Sequence, residues 1–347
     1  MPGRKDIVVV NTIVPGAYDA LKEAFPGVDI RNALACESES PGDSRNLTRK
    51  LTNEEVALMQ EADILVLNPH TLIQVMYDLP KVKWVQLTST GAEQLLRERR
   101  EDKPLPSYVV TRNISKHIGL IMAEYVVGQV ICHERLWYST MENQKHKMYD
   151  RSNKFTLYRS LSQITVGIMG VAAMGLEIAR ALKHFECRVH GYSKRPKEAS
   201  ERSPFMDDYW HGDQLPDFLS TCDYIVCVLP STPETRGLLG KDILKHTRKS
   251  PVLINIGRGD LVSESDILKA LDAGWISTAI LDVFEKEPLS VESALWAHPK
   301  VVITPHVSGY GSAELRGMSL VDCFKENYRR FVKEQPLLGS LDWELGY

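Results

Sequence analysis

Six short apolar runs recur between residues 164 and 304, at 164–169, 188–192, 224–229, 252–256, 278–283 and 301–304, and no other feature constrains the fold as much. Each run is strand-sized, and stretches with helical spacing separate them, which is the rhythm of parallel strands joined by crossover helices. Six such strands predict a complete doubly wound parallel sheet. A weaker series of the same kind precedes it, with strand-like runs at 7–11, 62–67 and 84–87 and a helical stretch at 18–25. After His306 a Gly-rich turn, SGYGSAEL, leads into a last helical pattern that runs to about residue 333.

A chain of 347 residues exceeds what one hydrophobic core usually serves, so two domains are expected. The fold class is therefore α/β, with two Rossmann-like doubly wound parallel-sheet domains. The late helix returns to the first sheet, which makes residues 113–307 an insertion and leaves 1–112 and 308–347 as the other lobe. The segment SKHIGLIMAEYVVGQVICHERLW, from Ser115 to Trp137, is apolar all round, which predicts a helix buried on more than one side and joining domains or subunits.

A formal net charge of −3 offers no general attraction to nucleic acid or to an anionic membrane, so neither is an expected partner. The basic stretch 241–249 has no interleaved aromatics and reads as a solvated helix. Six cysteines, Cys36, Cys132, Cys187, Cys222, Cys227 and Cys323, form no CxxC and sit mostly in apolar segments, as reduced core thiols do. His133-Glu134 lacks the second histidine of a zinc-protease helix, and no metal site is expected. The opening MPGRKDIVVVN is too short for a signal-peptide core, and the closing LGY is not a peroxisomal tripeptide; the cytoplasm is the expected compartment.

The first run of the strong series continues as ITVGIMGVAAMGLEIAR: a strand, a small-residue turn, then a helix. Gly170 and Gly175 occupy the outer glycines of a GxGxxG turn, for the tight bend and for close helix packing, while Ala172 replaces the middle one. One methyl there predicts a slightly displaced pyrophosphate at a helix N-terminus that includes Ala173 and Met174. The second strand ends before Ser193-Lys194-Arg195, where an acid against the ribose 2′-OH would be usual. A hydroxyl and two cations suit a 2′-phosphate, so NADP(H) is favoured and NAD(H) is the alternative. The bland reading is a solvated basic loop.

Three later strand ends deliver Arg258, Glu287 and His306. Ligands of open α/β sheets bind at that edge. A guanidinium can clamp a carboxylate in two parallel hydrogen bonds, and an imidazole paired with a carboxylate is a proton donor working near neutral pH. Those are the needs of 2-oxo acid reduction, with the hydride coming from a nicotinamide. Each residue alone could be a surface ion pair or a cap; three on successive strand ends predict catalysis by Arg258, Glu287 and His306 on a small 2-oxo or 2-hydroxy acid, with Arg258 and His306 also holding the substrate.

The motifs VGIMGVAAMG, LPSTPETRGLL, NIGRGDLVSESDILKAL, LDVFEKEPL and TPHVSG show that the chain resembles the D-isomer-specific 2-hydroxyacid dehydrogenases. In that family the arginine of the RG motif, the glutamate of the EP motif and the histidine of the PH motif are catalytic; they fall on Arg258, Glu287 and His306. The resemblance implies that Leu229, Pro230 and Thr235 line the cofactor site with Ile256, Gly257 and Gly309, and that Asp282 meets the nicotinamide carboxamide. It also implies that Ser89, Thr90 and Gly91 hold the substrate carboxylate through backbone N–H groups, with Thr90 where alanine is common. Ser193, Lys194 and Arg195 resemble the glyoxylate and hydroxypyruvate reductase branch, which implies NADPH-dependent reduction to a D-2-hydroxy acid. A homodimer through the coenzyme domain is implied as well, and suits the helix from Lys116 and the aromatic arm 137–158.

A non-catalytic, dinucleotide-sensing protein of the transcriptional corepressor type is the rival reading, because it shares this fold and can keep the three residues. Formate dehydrogenases carry glutamine where Glu287 stands. L-specific lactate and malate dehydrogenases place the glycine turn near the N-terminus, not at Gly170.

Overall fold

A computed structural model describes residues 6–33 and 49–346, so Cys36 lies outside the described residues. The chain divides into two compact units, 1–117 with 311–347 and 118–310.

The first unit is built from β1 (Ile7–Asn11), α1 (Ala17–Ala24), β2 (Asp29–Asn32), α2 (Asn53–Glu61), β3 (Ile64–Leu67), α3 (Pro69–Val75), β4 (Trp84–Leu87), α4 (Glu93–Arg97) and β5 (Val109–Thr111). Its sheet is wholly parallel in the order β2-β1-β3-β4-β5. Alternate residues of β1, β3 and β4 face opposite cores, Val9, Leu65 and Val85 on one side and Val8, Ile64 and Trp84 on the other. Burial on both faces explains why these strands read as continuous apolar runs. Strands β2 and β5 escape the sequence reading because they are short edge strands, and β2, DIRN, has only one fully buried residue.

The second unit contains α5 (Lys116–Glu134, whose first two residues belong to the first unit), α6 (Trp137–Lys145), α7 (Asn153–Thr156), β6 (Thr165–Met169), α8 (Ala173–His184), β7 (Arg188–Ser193), β8 (Asp208–His211), α9 (Leu215–Thr221), β9 (Tyr224–Cys227), β10 (Val252–Asn255), α10 (Glu264–Asp272), β11 (Thr278–Leu281) and β12 (Val301–Ile303). All seven strands are parallel, in the order β12-β11-β10-β9-β6-β7-β8. Order reverses between β6 and β9, the switch point at which such sheets open a crevice beyond their strand ends. The six expected strands are present, and β8, read as DYWH, is a seventh: a half-exposed, polar edge strand without an apolar run to announce it.

Helix α11 (Ala313–Val332) closes the chain's fold within the first unit, where Phe324 stacks on Trp84 at 5.0 Å between ring centroids. Two expectations are corrected. The long apolar helix stops at Glu134, and Leu136, with a left-handed φ of 52°, caps the start of α6. Only the stripe Gly119, Ala123, Val126, Val130 of α5 is fully buried; its other apolar residues are half-exposed. Stretch 241–249 holds only a short 3-10 turn, Ile243–His246, not an α-helix. Cys187, Cys222 and Cys227 are buried free thiols, while Cys132 and Cys323 are partly exposed.

Candidate active site

The turn from β6 into α8 is shaped by its glycines. Gly170 has φ 116°, and its N–H donates to the Tyr192 carbonyl at 3.0 Å. A Cβ on Gly175 would lie 2.0 Å from the Gly170 carbonyl oxygen, so α8 rests directly on the turn. Ala172 has φ −119°, which alanine adopts without strain, and it is exposed. The first hydrogen bond of α8 runs from Leu176 N–H to the Ala172 carbonyl at 2.9 Å, so the N–H groups of Ala173, Met174 and Gly175 precede the helical ladder. A Cβ at Gly257 would meet the Leu229 carbonyl oxygen at 2.7 Å, which brings the ends of β9 and β10 together at Leu229, Pro230, Ile256 and Gly257. These glycine-made approaches fit an extended dinucleotide laid over a sheet edge.

At the end of β7 the Ser193 hydroxyl donates to the Arg195 carbonyl at 2.7 Å. Lys194 reaches Glu234 at 2.7 Å, an exposed pair that holds the Glu234 carboxyl below its usual range through a hydrogen bond. Glu234 went unremarked in the sequence, although it stands inside LPSTPETRGLL. Thr235 donates its hydroxyl to the Pro230 carbonyl at 2.6 Å and so braces its own loop.

Beyond β10, the Asn255 amide donates to the Arg258 carbonyl at 3.0 Å and its oxygen accepts from Gly257 N–H at 3.2 Å. Arg258 donates to the Gly257 carbonyl at 2.7 Å. Gly259 is pressed so closely on Phe284 that a Cβ would sit 1.9 Å from its carbonyl carbon, which joins the Arg258 loop to the one bearing Glu287. Glu287 Oε2 lies 2.6 Å from His306 Nδ1, and its Oε1 accepts from Phe284 N–H at 3.1 Å. The Glu287 hydrogen bond raises the His306 pKa against burial and the nearby Arg258 charge. Burial pushes Glu287 up, but the bonds from His306 and Phe284 outweigh it and its pKa falls below the ordinary value.

Asp282, expected at the carboxamide, is fully buried. Its carboxylate accepts from Thr304 Oγ1 at 2.5 Å and from the N–H groups of Val307 and Ser308, each at 2.8 Å. Thr304 in turn lies 2.7 Å from the Tyr125 hydroxyl of α5. Neither Asn255 nor Tyr125 was singled out in the sequence; Asn255 stands at the strand end ahead of the RG motif, a readable signal, whereas Tyr125 is hidden in an apolar helix. Gly309, also expected at the cofactor, packs near Ile118 and Met122 of α5.

In the first unit the loop after β4 is tied by its own side chains. Ser89 donates to the Gly91 carbonyl and Thr90 to the Asn113 carbonyl, both at 2.7 Å. The threonine that departs from the usual alanine thus has a partner. Among the described residues no cluster of His, Cys, Asp or Glu is placed to hold a metal ion, and no helix is long and apolar enough to cross a membrane.

A doubly wound parallel sheet with a glycine turn after β6 and an Arg, a Glu and a His beyond the ends of β10, β11 and β12 has the arrangement of a dinucleotide-dependent oxidoreductase. The model of the D-isomer specific 2-hydroxyacid dehydrogenase NAD binding domain matches residues 127–308. Glyoxylate/hydroxypyruvate reductase A of Photorhabdus laumondii is 33% identical over 270 residues, 77% of this chain and 82% of that protein. Its namesake in Escherichia fergusonii is 30% identical over 333 residues, 95% of each. Among solved structures, a D-isomer specific 2-hydroxyacid dehydrogenase of Xanthobacter autotrophicus in complex with NADPH and MES superposes with a TM-score of 0.79 at 28% identity, covering 99% of this chain and all of that one. The NADPH-dependent glyoxylate/hydroxypyruvate reductase of Sinorhizobium meliloti, in complex with NADP and sulfate, gives 0.74 at 27% identity, with 99% and 100% covered. The chain belongs to the D-isomer specific 2-hydroxyacid dehydrogenase family. It is an NAD(P)-dependent dehydrogenase acting on a small 2-oxo or 2-hydroxy acid, which sets the corepressor reading aside.

Proposed function

We propose that the protein reduces glyoxylate, hydroxypyruvate or a similar small 2-oxo acid to the D-2-hydroxy acid with NADPH. The observation that carries this reading is the 2.6 Å pair of His306 and Glu287 beside Arg258 at the carboxyl ends of adjacent parallel strands. Arg258 binds the substrate carboxylate and polarises the carbonyl. Glu287 holds His306 Nδ1, which leaves Nε2 to donate the proton to the carbonyl oxygen. A reduced nicotinamide supplies the hydride when bound. The turn Gly170, Ala172, Ala173, Met174, Gly175 receives the pyrophosphate, with Leu229, Pro230, Thr235, Ile256, Gly257, Asp282 and Gly309 around the rest. For the first unit the proposal keeps the expectation that Ser89, Thr90 and Gly91 bind the substrate carboxylate.

Two relatives of known structure were solved with NADPH or NADP, and Ser193, Lys194 and Arg195 offer a hydroxyl and two cations where an acid would exclude a 2′-phosphate. The Lys194–Glu234 pair is more than half exposed at each end and therefore weak enough for a phosphate dianion to compete with it. Steady-state oxidation of NADPH and NADH against glyoxylate, hydroxypyruvate and pyruvate tests the reading. Arg195→Ala is expected to lower kcat/KM for NADPH about tenfold, the loss of one charge-assisted hydrogen bond, with NADH use unchanged. Equal use of the two cofactors by the wild type defeats the NADP(H) assignment.

Reduction needs a protonated His306, so the rate is high below its raised pKa and falls as pH climbs through it. In Glu287→Gln the raising hydrogen bond to a carboxylate is gone, while burial and Arg258 still push downward. The descending limb of the pH profile should move to lower pH, by roughly a tenfold loss of rate at fixed alkaline pH for each unit moved. An unmoved limb would remove Glu287 from this role.

The arm 137–158 exposes Trp137, Tyr138, Met141, Met148, Leu157 and Tyr158, large apolar side chains gathered on one short segment. We assign it to a homodimer. Replacing Trp137 and Met141 together by glutamate should shift the protein from dimer to monomer in sedimentation velocity; a wild type that sediments as a monomer overturns the assignment.

A further inference from the structure

We propose that Tyr125 and Thr304 are positioning residues for His306, acting through a hydrogen-bond chain that ends on the buried Asp282 carboxylate. The inference rests on the reading of His306 as the acid and base. His306 has φ 56°, a left-handed backbone that an L-residue adopts at a cost of about 1–2 kcal/mol. Something must hold it there. Its own N–H donates to the Asp282 carbonyl at 2.8 Å, and the next two N–H groups, of Val307 and Ser308, divide the two carboxylate oxygens of Asp282 between them at 2.8 Å each. Asp282 thus holds this backbone with its carbonyl at the left-handed residue itself and with its side chain at the two residues that follow.

The orientation of that clamp is set from α5. A carboxylate only accepts, so the single Thr304 hydroxyl proton goes to Asp282 Oδ1 at 2.5 Å. Thr304 Oγ1 has then no proton left for Tyr125, and the phenol must be the donor across their 2.7 Å contact. Direction is fixed along the whole chain: Tyr125 to Thr304 to Asp282, with Val307 and Ser308 donating from the far side. Burial of Tyr125 pushes its pKa up to about 12, so the phenol keeps its proton over any working pH. Charged groups acting on the imidazole itself are Glu287, Arg258 and Asp282. Tyr125 touches neither His306 nor Glu287 in the hydrogen bonds it makes, so its effect on chemistry passes through the backbone of 304–308.

Loss of the phenol oxygen frees the Thr304 rotor, and loss of the threonine hydroxyl removes a donor from a buried carboxylate. Three variants separate these effects: Tyr125→Phe and Thr304→Val, which are near-isosteric and lose a hydroxyl, and Thr304→Ser, which keeps the hydroxyl and loses one methyl. Tyr125→Phe should lower kcat about fivefold and Thr304→Val about thirtyfold, as expected for one neutral and one charge-assisted hydrogen bond. The dissociation constant for NADPH, read by fluorescence quenching, should stay within about twofold, and Thr304→Ser should recover most of the Thr304→Val loss. Amide exchange by NMR supplies a readout independent of turnover: the Val307 and Ser308 N–H groups should exchange about tenfold faster in Tyr125→Phe, with strand β6 unchanged.

A kcat within twofold of wild type in both Tyr125→Phe and Thr304→Val overturns the proposal. So does unchanged exchange at Val307 and Ser308, and so does a serine variant as slow as the valine. His306→Asn measured alongside tells the two readings apart. If it retains full activity the assignment of His306 is wrong, while the exchange data still decide whether Tyr125 and Thr304 hold the loop.

Discussion

Replacing His306 by asparagine is expected to lower kcat for 2-oxo acid reduction by about two to four orders of magnitude, the usual contribution of a positioned general acid. Asparagine is the informative substitute because it accepts the left-handed φ of 56° at this position, so the backbone held by Asp282 is undisturbed. The side chain is 46% exposed and hydrogen-bonds Glu287, so little packing is lost. Thermal stability and the NADPH dissociation constant should therefore change little. A variant within tenfold of wild-type kcat would show that the proton comes from elsewhere.

The second large effect is on folding. Gly175→Ala places a methyl 2.0 Å from the Gly170 carbonyl oxygen, 3.1 Å from its carbon and 3.2 Å from Ile168 Cγ2. Two of these neighbours are backbone and cannot rotate away, so α8 must lift off β6, with a loss of about 3 kcal/mol or more and of cofactor binding with it. The comparison is Ala172→Gly one turn earlier. That residue is exposed with φ −119°, so the glycine costs no more than about 1 kcal/mol of backbone entropy and leaves the turn intact. Urea unfolding of the two variants reads the difference directly, and equal midpoints would contradict the packing described for this turn.

Ala172 also shows how far a motif can be trusted. The sequence marks it as a defect in a glycine pattern and predicts a displaced pyrophosphate. In the fold it is an ordinary extended residue capping α8 without a side-chain bond, and the helix still opens with three N–H groups ahead of its ladder. The middle glycine's space matters only at the ligand, not for making the turn.

The sequence alone determined the central strands of both sheets, because strands covered on both faces must be apolar throughout and β10, VLIN, is buried at every position. It determined Gly170 and Gly175, and it ordered Arg258, Glu287 and His306 onto strand ends, since residue type and distance from an apolar run are local properties. Edge strands β2, β5 and β8 left weaker traces because an edge has less to bury. What only the tertiary structure decided is which polar groups meet. Lys194 pairs with Glu234, forty positions on; Asp282 accepts from the N–H groups of Val307 and Ser308; and Tyr125 reaches Thr304 across 179 positions. A hydrogen bond depends on tenths of an ångström and on direction, which strand register and helix packing set together, and no pattern along one chain carries that information.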